Sequence, residues 1–365
     1  YVIVFNGEIY NYLELKEELL ADGVSFTTNS DTEVLLHLFI KHKAKCLEKL
    51  NGFFAFAVYD KQEKSLFVAR DRMGIKPLFY AKVKEGYIFS SEIQCLLKSN
   101  CISKEVNLDA ISSYLSFRNP FGVGTYFNDI EEVNPGEMIV ISDQLKKITY
   151  WQIPINSQPE KDLGEKFYLE STTNLLKKVT QDHMLSDVPI GSLLSGGLDS
   201  SLLTVLMKKE KLKTFSASFN NDGYDESEYA KLIANQIKSE HINITLDSKN
   251  YIEKLDSNIK KKGTPLSIPH EIALNELFKS IKSHNKVVIS GEGADELFGG
   301  YGRVQSSAFD YNKIVFVKKF FPKYLKNFLL GIMGSNKIHD WSNYNNQCDH
   351  FIDIYSWFSP VSKKN

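Results

Sequence analysis

The chain has 365 residues, enough for two domains of ordinary size, and at 42% hydrophobic and 24% charged it has the composition of a folded globular protein. A formal net charge of −1 gives no support to a nucleic-acid footprint or an anionic-membrane footprint. Cys46, Cys95, Cys101 and Cys348 lie far apart with no Cys-x-x-Cys pair, which argues against a zinc site or a disulfide framework and fits a reducing cytoplasm. No apolar run reaches membrane-spanning length and no signal peptide is visible.

The chain opens without Met at Tyr1-Val2-Ile3-Val4-Phe5, already strand-like, and reads as a fragment. That strand runs into a turn at Asn6-Gly7-Glu8-Ile9-Tyr10-Asn11, with Asn11 placed to cap a helix over Tyr12 to Ala21 that Gly23 ends. Ser30 with Glu33 three residues on is a capping-box pattern, so a second helix starts here and covers Asp31 to Lys43. Asp31 is then a first-turn charge favoured by the helix dipole. From Phe53 the period shortens. Phe53 to Tyr59, Leu66 to Ala69, Pro77 to Ala81 and Tyr87 to Ser90 read as short strands of an antiparallel sheet, punctuated by Gly74 and Gly86. A helical stripe over Asn107 to Arg118, a turn at Val133 to Met138 and a strand over Met138 to Ser142 follow. The proline-containing polar stretch Ile153 to Lys161 reads as a linker.

Beyond it, Leu163 to Gln181 is helical, and Val188 to Leu194 reads as a buried parallel strand. Ser195-Gly196-Gly197-Leu198-Asp199-Ser200 then turns the chain into a helix over Ser200 to Lys209. A Gly-rich turn at a helix start offers free backbone N–H groups and the positive end of the helix dipole to an anion. An ordinary turn with Asp199 or Ser200 as N-cap is the plainer alternative. There is no Gly-Lys dipeptide, hence no Walker A loop. Strands and helices then alternate: Lys213 to Phe219, Ser227 to Lys238, His241 to Leu246, Asn250 to Lys261, Ile272 to His284 and Lys286 to Ser290. Such alternation implies a parallel doubly wound sheet with its ligands at the C-terminal strand ends. After Arg303, Lys318, Lys319, Lys323 and Lys326 beside Phe320, Phe321, Leu325, Phe328 and Leu329 suggest an amphipathic helix with a solvated basic face.

Two sets of strings carry a family resemblance. Phe5 to Asn11, Ser30 to Val34, Gly52 to Phe56 and Ala69 to Leu78 together resemble the glutaminase domain of enzymes with an N-terminal cysteine nucleophile. Ser195 to Ser200 resembles the pyrophosphate loop of enzymes that split ATP between its α- and β-phosphates. Paired with Ser290-Gly291-Glu292-Gly293-Ala294-Asp295-Glu296, it resembles the synthetase domain of glutamine-dependent asparagine synthetases. The resemblance implies a two-domain fold. Residues 1–154 would form an N-terminal-nucleophile-type antiparallel sheet and helix domain, and residues 155–365 a doubly wound α/β domain of the ATP-pyrophosphatase type.

It further implies site residues. Asn6 and Gly7 would form an oxyanion hole, and Glu8 and Asp31 would hold the α-ammonium of glutamine. The N–H groups of Ser195 to Ser200, including Gly196 and Gly197, would cradle pyrophosphate. Leu193, Ser218, Ser290 and Gly291 would line the adenine and ribose pocket, Asp199 and Asp295 would bind Mg²⁺, and Glu292 would serve β-aspartyl-AMP formation and attack by ammonia. ATP and Mg²⁺ are the implied cofactors; glutamine, aspartate and ATP are the implied small-molecule partners, with neither nucleic acid nor membrane. A homodimer is compatible with it, and the oligomeric state is not written in the residues. Members of the family begin with the nucleophilic cysteine, carry an arginine for the glutamine carboxylate ahead of the Asn-Gly-Glu string, and continue beyond a chain end such as Lys363-Lys364-Asn365. Residues 1–365 alone are therefore expected not to hydrolyse glutamine. Three alternatives stay open at this point: an amidotransferase acting on a sugar acid or another carboxylate, a tRNA-modifying enzyme of the pyrophosphate-loop class, and an inactive nucleotide-binding remnant.

Overall fold

A computed structural model of the chain describes residues 1–155, 161–208, 211–219, 226–246, 251–268, 270–321, 325 and 346–356. The chain divides into two compact units, one of residues 1–107, 124–189 and 252–265, the other of residues 108–123, 190–251 and 266–365.

In the first unit, β1 (Val2–Ile9) leads through a turn into α1 (Tyr12–Ala21), α2 (Asp31–His42) and the one-turn α3 (Cys46–Lys49). Strands β2 (Gly52–Asp60), β3 (Ser65–Arg70), β7 (Glu137–Ile141) and β8 (Leu145–Thr149) join β1 in an antiparallel sheet of order β1-β2-β3-β7-β8. A second antiparallel sheet, β5-β4-β6, is made by β4 (Phe79–Val83), β5 (Gly86–Ser90) and β6 (Glu131–Glu132). Leu15, Leu19, Leu35 and Leu38 of α1 and α2 bury one face of the larger sheet against Phe54, Phe56 and Phe67. Its other face packs Ala55, Val68 and Ile139 against Leu78, Tyr80 and Val133. Strand β2 is therefore covered on both sides, and each phenyl ring of Phe54 and Phe56 contributes on the order of 2–3 kcal/mol by leaving water. Helices α4 (Ile93–Lys98), α6 (Glu165–His183) and α9 (Tyr251–Lys262) complete this unit, apart from Tyr251.

The expected antiparallel sheet is present, with differences that have local causes. Strand β1 continues through Asn6-Gly7-Glu8, where a turn was expected, because Gly7 lets β2 approach: a Cβ there would fall on the Phe53 carbonyl oxygen. Asn11 does precede α1, yet its side chain makes no cap. It instead donates to Lys49 O and accepts from Asn51 N at 2.9 Å each, clipping the turn to β2. Helix α4 and strand β8 gave no sequence signal; β8 is a short edge strand whose exposed Lys146 and Lys147 suit an open edge.

The second unit is built on β9 (Ile190–Leu193), β10 (Lys213–Phe219), β11 (Glu240–Leu246) and β12 (Val287–Ile289), all parallel, in the order β11-β10-β9-β12. Strand β9 begins after Pro189, which has no N–H for the ladder. Helices α7 (Leu198–Leu206), α8 (Ser227–Ile237) and α10 (Glu271–Ile281) alternate with the strands. Leu277 and Ile281 of α10 cover Phe215, Ala217, Ile242 and Ile244 on one face. The opposite face carries hydroxyls and amides that satisfy one another: Ser192 with Thr204, Ser216 with Asn243 and Asn243 with Ser218, at 2.7, 2.9 and 3.1 Å. Helices α5 (Leu108–Phe117), α11 (Ala294–Phe298), α12 (Gly302–Phe320) and α13 (Gln347–Tyr355) complete this unit. Of the expected features, residues 156–160 of the linker, together with Lys209, Asn250, Lys323, Lys326, Phe328, Leu329 and the terminal Lys363 to Asn365, lie outside the described residues.

Candidate functional site

In the parallel sheet the strand order reverses between β9 and β12, since β9 is followed by β10 on one side while β12 lies on the other. At such a switch point the loops after neighbouring strands diverge and leave a crevice. Here the loop after β9 is Ser195-Gly196-Gly197 and the loop after β12 is Gly291-Glu292-Gly293. Together they open a cleft of about 440 Å³, whose walls include Leu193, Ser195, Gly197, Asp199, Ser200, Ser290, Gly291, Glu292 and Asp295.

The first loop is tied down from within. Ser200, in the first turn of α7, shares a hydrogen bond of 2.9 Å with the Ser195 hydroxyl and accepts from Ser195 N. The N-cap is Gly197, neither Asp199 nor Ser200, and helix α7 begins at Leu198. The N–H groups of Gly196, Leu198, Asp199 and Ser200 have no partner among the described residues and remain available to an anion. Gly196 has φ +93° and packs against the start of α8, where a Cβ would crowd Tyr229, Ala230 and Glu226, so no other residue fits. Gly291 lies against the N-terminus of α7, leaving a Cβ only 3.0 Å from Ser200 N. Asp295 folds over Gly300, another position that a side chain would block.

Among the described residues every charged side chain lining the cleft, namely Asp199, Glu226, Glu292, Asp295 and Glu296, is acidic. Cations accompanying a polyphosphate would offset their repulsion. Asp199 and Asp295 form no ion pair among the described residues, and no cluster of three or more metal-ligating side chains exists there. Two carboxylates without a closed protein cage match the way Mg²⁺ is held jointly by protein and phosphate oxygens. Gly196 and Ser218 are not in the cleft wall. Ser218 accepts from Asn243 and shares a hydrogen bond with Thr245, while Phe215, Ser216 and Ala217 of β10 line the cleft instead. Glu226 is a lining residue that carried no sequence signal, and Glu296 and Tyr301 line the cleft although no role was expected of them; the Tyr301 hydroxyl donates to Glu296 at 2.7 Å, which pushes its phenol up to about 12.

In the first unit, β1 is an edge strand and its burial alternates, placing Asn6 and Glu8 on the exposed face. Tyr10 N donates inward to Asn51 O, whereas Ile9 N donates outward to Asp31 Oδ2 at 3.1 Å. By the two-residue period of a strand, Gly7 N–H points outward as Ile9 N–H does, along the open edge. Asp31 thus stands beside the end of the Asn-Gly-Glu string, held there by the Ser30 cap of α2. Burial and the negative charge of Asp31 raise the Glu8 carboxyl above its ordinary value, against a smaller opposing pull from Lys76. Asn6 Nδ2 donates to Ser91 Oγ at 3.0 Å. The Arg70 to Pro77 string serves packing: the guanidinium of Arg70 donates to the carbonyls of Lys76, Val133 and Gly74 and to Glu132. All four cysteines are free thiols; Cys46 is buried, its thiol pushed up to about 12, and is no nucleophile.

A family model for a glutamine amidotransferase domain matches residues 1–151, and one for asparagine synthase matches residues 171–341. Two curated relatives match both halves. Glutamine-hydrolyzing asparagine synthetase 1 of Bacillus subtilis is 39% identical over 306 residues, covering 82% of this chain and 48% of that protein. Asparagine synthetase 3 of the same organism is 34% identical over 324 residues, covering 82% of this chain and 52% of the relative. The chain therefore carries two domain families in series, glutamine amidotransferase and asparagine synthase, and is similar to glutamine-hydrolyzing asparagine synthetases. It spans about half the length of these relatives. The expected two-domain architecture, an antiparallel amidotransferase sheet and a parallel ATP-pyrophosphatase-type sheet, is the one described above. Among the described residues no helix is long and apolar enough to cross a membrane.

Proposed function

We propose that this protein makes asparagine from aspartate, using ATP and the ammonia released from glutamine. The observation that carries the reading is the convergence of the Ser195 to Ser200 loop and the Ser290 to Glu296 loop on one cleft at the switch point of a parallel sheet. In the first step an oxygen of the aspartate β-carboxylate attacks the α-phosphorus of ATP, the bond to pyrophosphate breaks, and β-aspartyl-AMP forms. The free N–H groups of Gly196, Leu198, Asp199 and Ser200 stabilise the charge that builds on the leaving pyrophosphate. Asp199 and Asp295 would hold Mg²⁺, which supplies charge neutralisation of the phosphates when bound. Ammonia then attacks the acyl carbon, the C–O bond to AMP breaks, and Glu292 at the cleft wall takes the proton that the new C–N bond releases. Leu193, Ser290 and Gly291 would form the nucleoside side of the cleft, beside Ser216 and Ala217 of β10.

In the other unit, residues up to 154 would bind glutamine and stabilise its hydrolysis, while the N-terminal cysteine nucleophile that the resemblance implies is not among residues 1–365. Glu8 and Asp31 pair with the α-ammonium of glutamine, and Asn6 Nδ2 with Gly7 N–H stabilises the oxyanion of the tetrahedral intermediate. Residues from 155 onward carry the ATP chemistry, and a cytoplasmic location belongs to the same reading. The test is ATP–pyrophosphate exchange on protein expressed from its native start codon. Exchange should require aspartate, should not accept a sugar acid in its place, and should fall at least ~100-fold in Asp199→Ala. Release of orthophosphate in place of pyrophosphate, or exchange indifferent to aspartate, would overturn the reading.

A further inference from the structure

The contact of Asn6 with Ser91 is not explained by packing. Asn6 sits on the exposed face of β1 in the five-stranded sheet, whereas Ser91 follows β5 of the three-stranded sheet, and their side chains meet at 3.0 Å. Neither strand pairs with the other. Ser91 itself is on firm ground. The preceding Ser90 hydroxyl accepts from Glu92 N at 3.1 Å, and α4 starts at Ile93, whose side chain is buried with Leu96 and Leu97 against Phe79, Ile88 and Ile130.

An asparagine carboxamide presents an acceptor oxygen on one side and a two-proton donor on the other, and rotation by half a turn exchanges them. A free Asn6 on an exposed strand face would spend part of its time with Oδ1 toward the open edge, where it would repel an oxyanion. With Nδ2 bonded to Ser91 Oγ, one N–H is fixed and the second is aimed elsewhere, in the plane of the amide. Gly7 N–H already points out of the same strand edge. We propose that Ser91 is a positioning residue for glutamine hydrolysis: its hydroxyl accepts one Asn6 N–H, fixes the amide orientation, and leaves the other N–H beside Gly7 N–H as the second donor of the oxyanion hole.

The inference rests on the glutaminase reading above and is tested on protein expressed from its native start codon. Ser91→Ala lowers kcat for glutamine hydrolysis about tenfold, less than the ~100-fold or more expected for losing a donor outright, with KM for glutamine changed less than twofold. Ser91→Thr, which keeps the hydroxyl, restores most of kcat. Asparagine synthesis from added ammonium salt is unchanged in both variants, which shows that they are folded. In Asn6→Ala, adding Ser91→Ala costs nothing further, because the group it positions is gone. Wild-type kcat in Ser91→Ala, a defect confined to KM, or additive losses in the double variant would overturn the assignment. A wild-type protein with no glutaminase activity would overturn the underlying reading and this one with it, an outcome distinguishable from the others before any variant is made.

Discussion

Asp71 is 2% exposed and is the acceptor for four backbone N–H groups, those of Phe54, Met73, Ile75 and Lys76, at 2.9–3.2 Å. It thereby fastens the loop after β3 to the start of β2, with Arg70 gripping the loop carbonyls from the other side. Asp71→Ala strands these donors in a dry interior and should lower stability by about 3 kcal/mol or more, read as a lower midpoint in urea for the first unit's transition. An unchanged midpoint would refute this role. The residues Arg70-Asp71-Arg72 were legible in the sequence as part of a family string, but what they do was not. Nothing in a linear string says that a carboxylate is surrounded by amides folded back onto it. The same holds for Glu226 and Tyr301, which reach the cleft from separate segments through tertiary folding alone.

The N-terminus of α2 shows how an element can be foreseen and its bonding still differ. Ser30 caps the helix as the pattern implies, accepting from Thr32 N at 3.2 Å. Glu33 does not return to Ser30 N. It takes the amide and hydroxyl of both Thr27 and Thr28 at 2.5–2.9 Å, because the preceding loop supplies four donors closer to hand. Those bonds, led by the Thr28 hydroxyl, hold the carboxyl at about 2, below its ordinary 4.5. A folded-state value below the unfolded one means that the stabilisation is complete above pH 4.5 and is lost as pH falls towards 2. The difference in melting temperature between wild type and Glu33→Gln should accordingly shrink as pH is lowered through that window. A difference independent of pH would show that the carboxylate contributes nothing through its charge. Helix α2 matters to the site because it carries Asp31 to the end of β1.

For the molecule as a whole, alternating strands and helices were enough to indicate a parallel sheet, and short apolar runs enough to indicate an antiparallel one. Strand order was beyond reach. The position of β12 beside β9 depends on which faces the helices cover, and β8 was missed because Leu145 to Thr149 is too short and polar to stand out. Seeing that the two loops meet needed either the family resemblance or the order itself. The adjacency of β9 and β12 also bears on how the protein acquires its site. The two strands are separated by the whole run of α7, β10, α8, β11, α9 and α10, so the crevice closes only after a long chain loop has closed, which is entropically costly and slow. A nucleotide bridging the two loops would act as a clasp on that final pairing. Adding ATP with magnesium should then slow hydrogen exchange most in Val287 to Ile289, a three-residue strand paired, among the described residues, only to β9, and exchange there that ignores the nucleotide would disprove it. If the cleft takes ATP as proposed, the nucleotide would double as a folding aid: a cell short of ATP would hold this protein with β12 more often undocked, and more exposed to proteolysis.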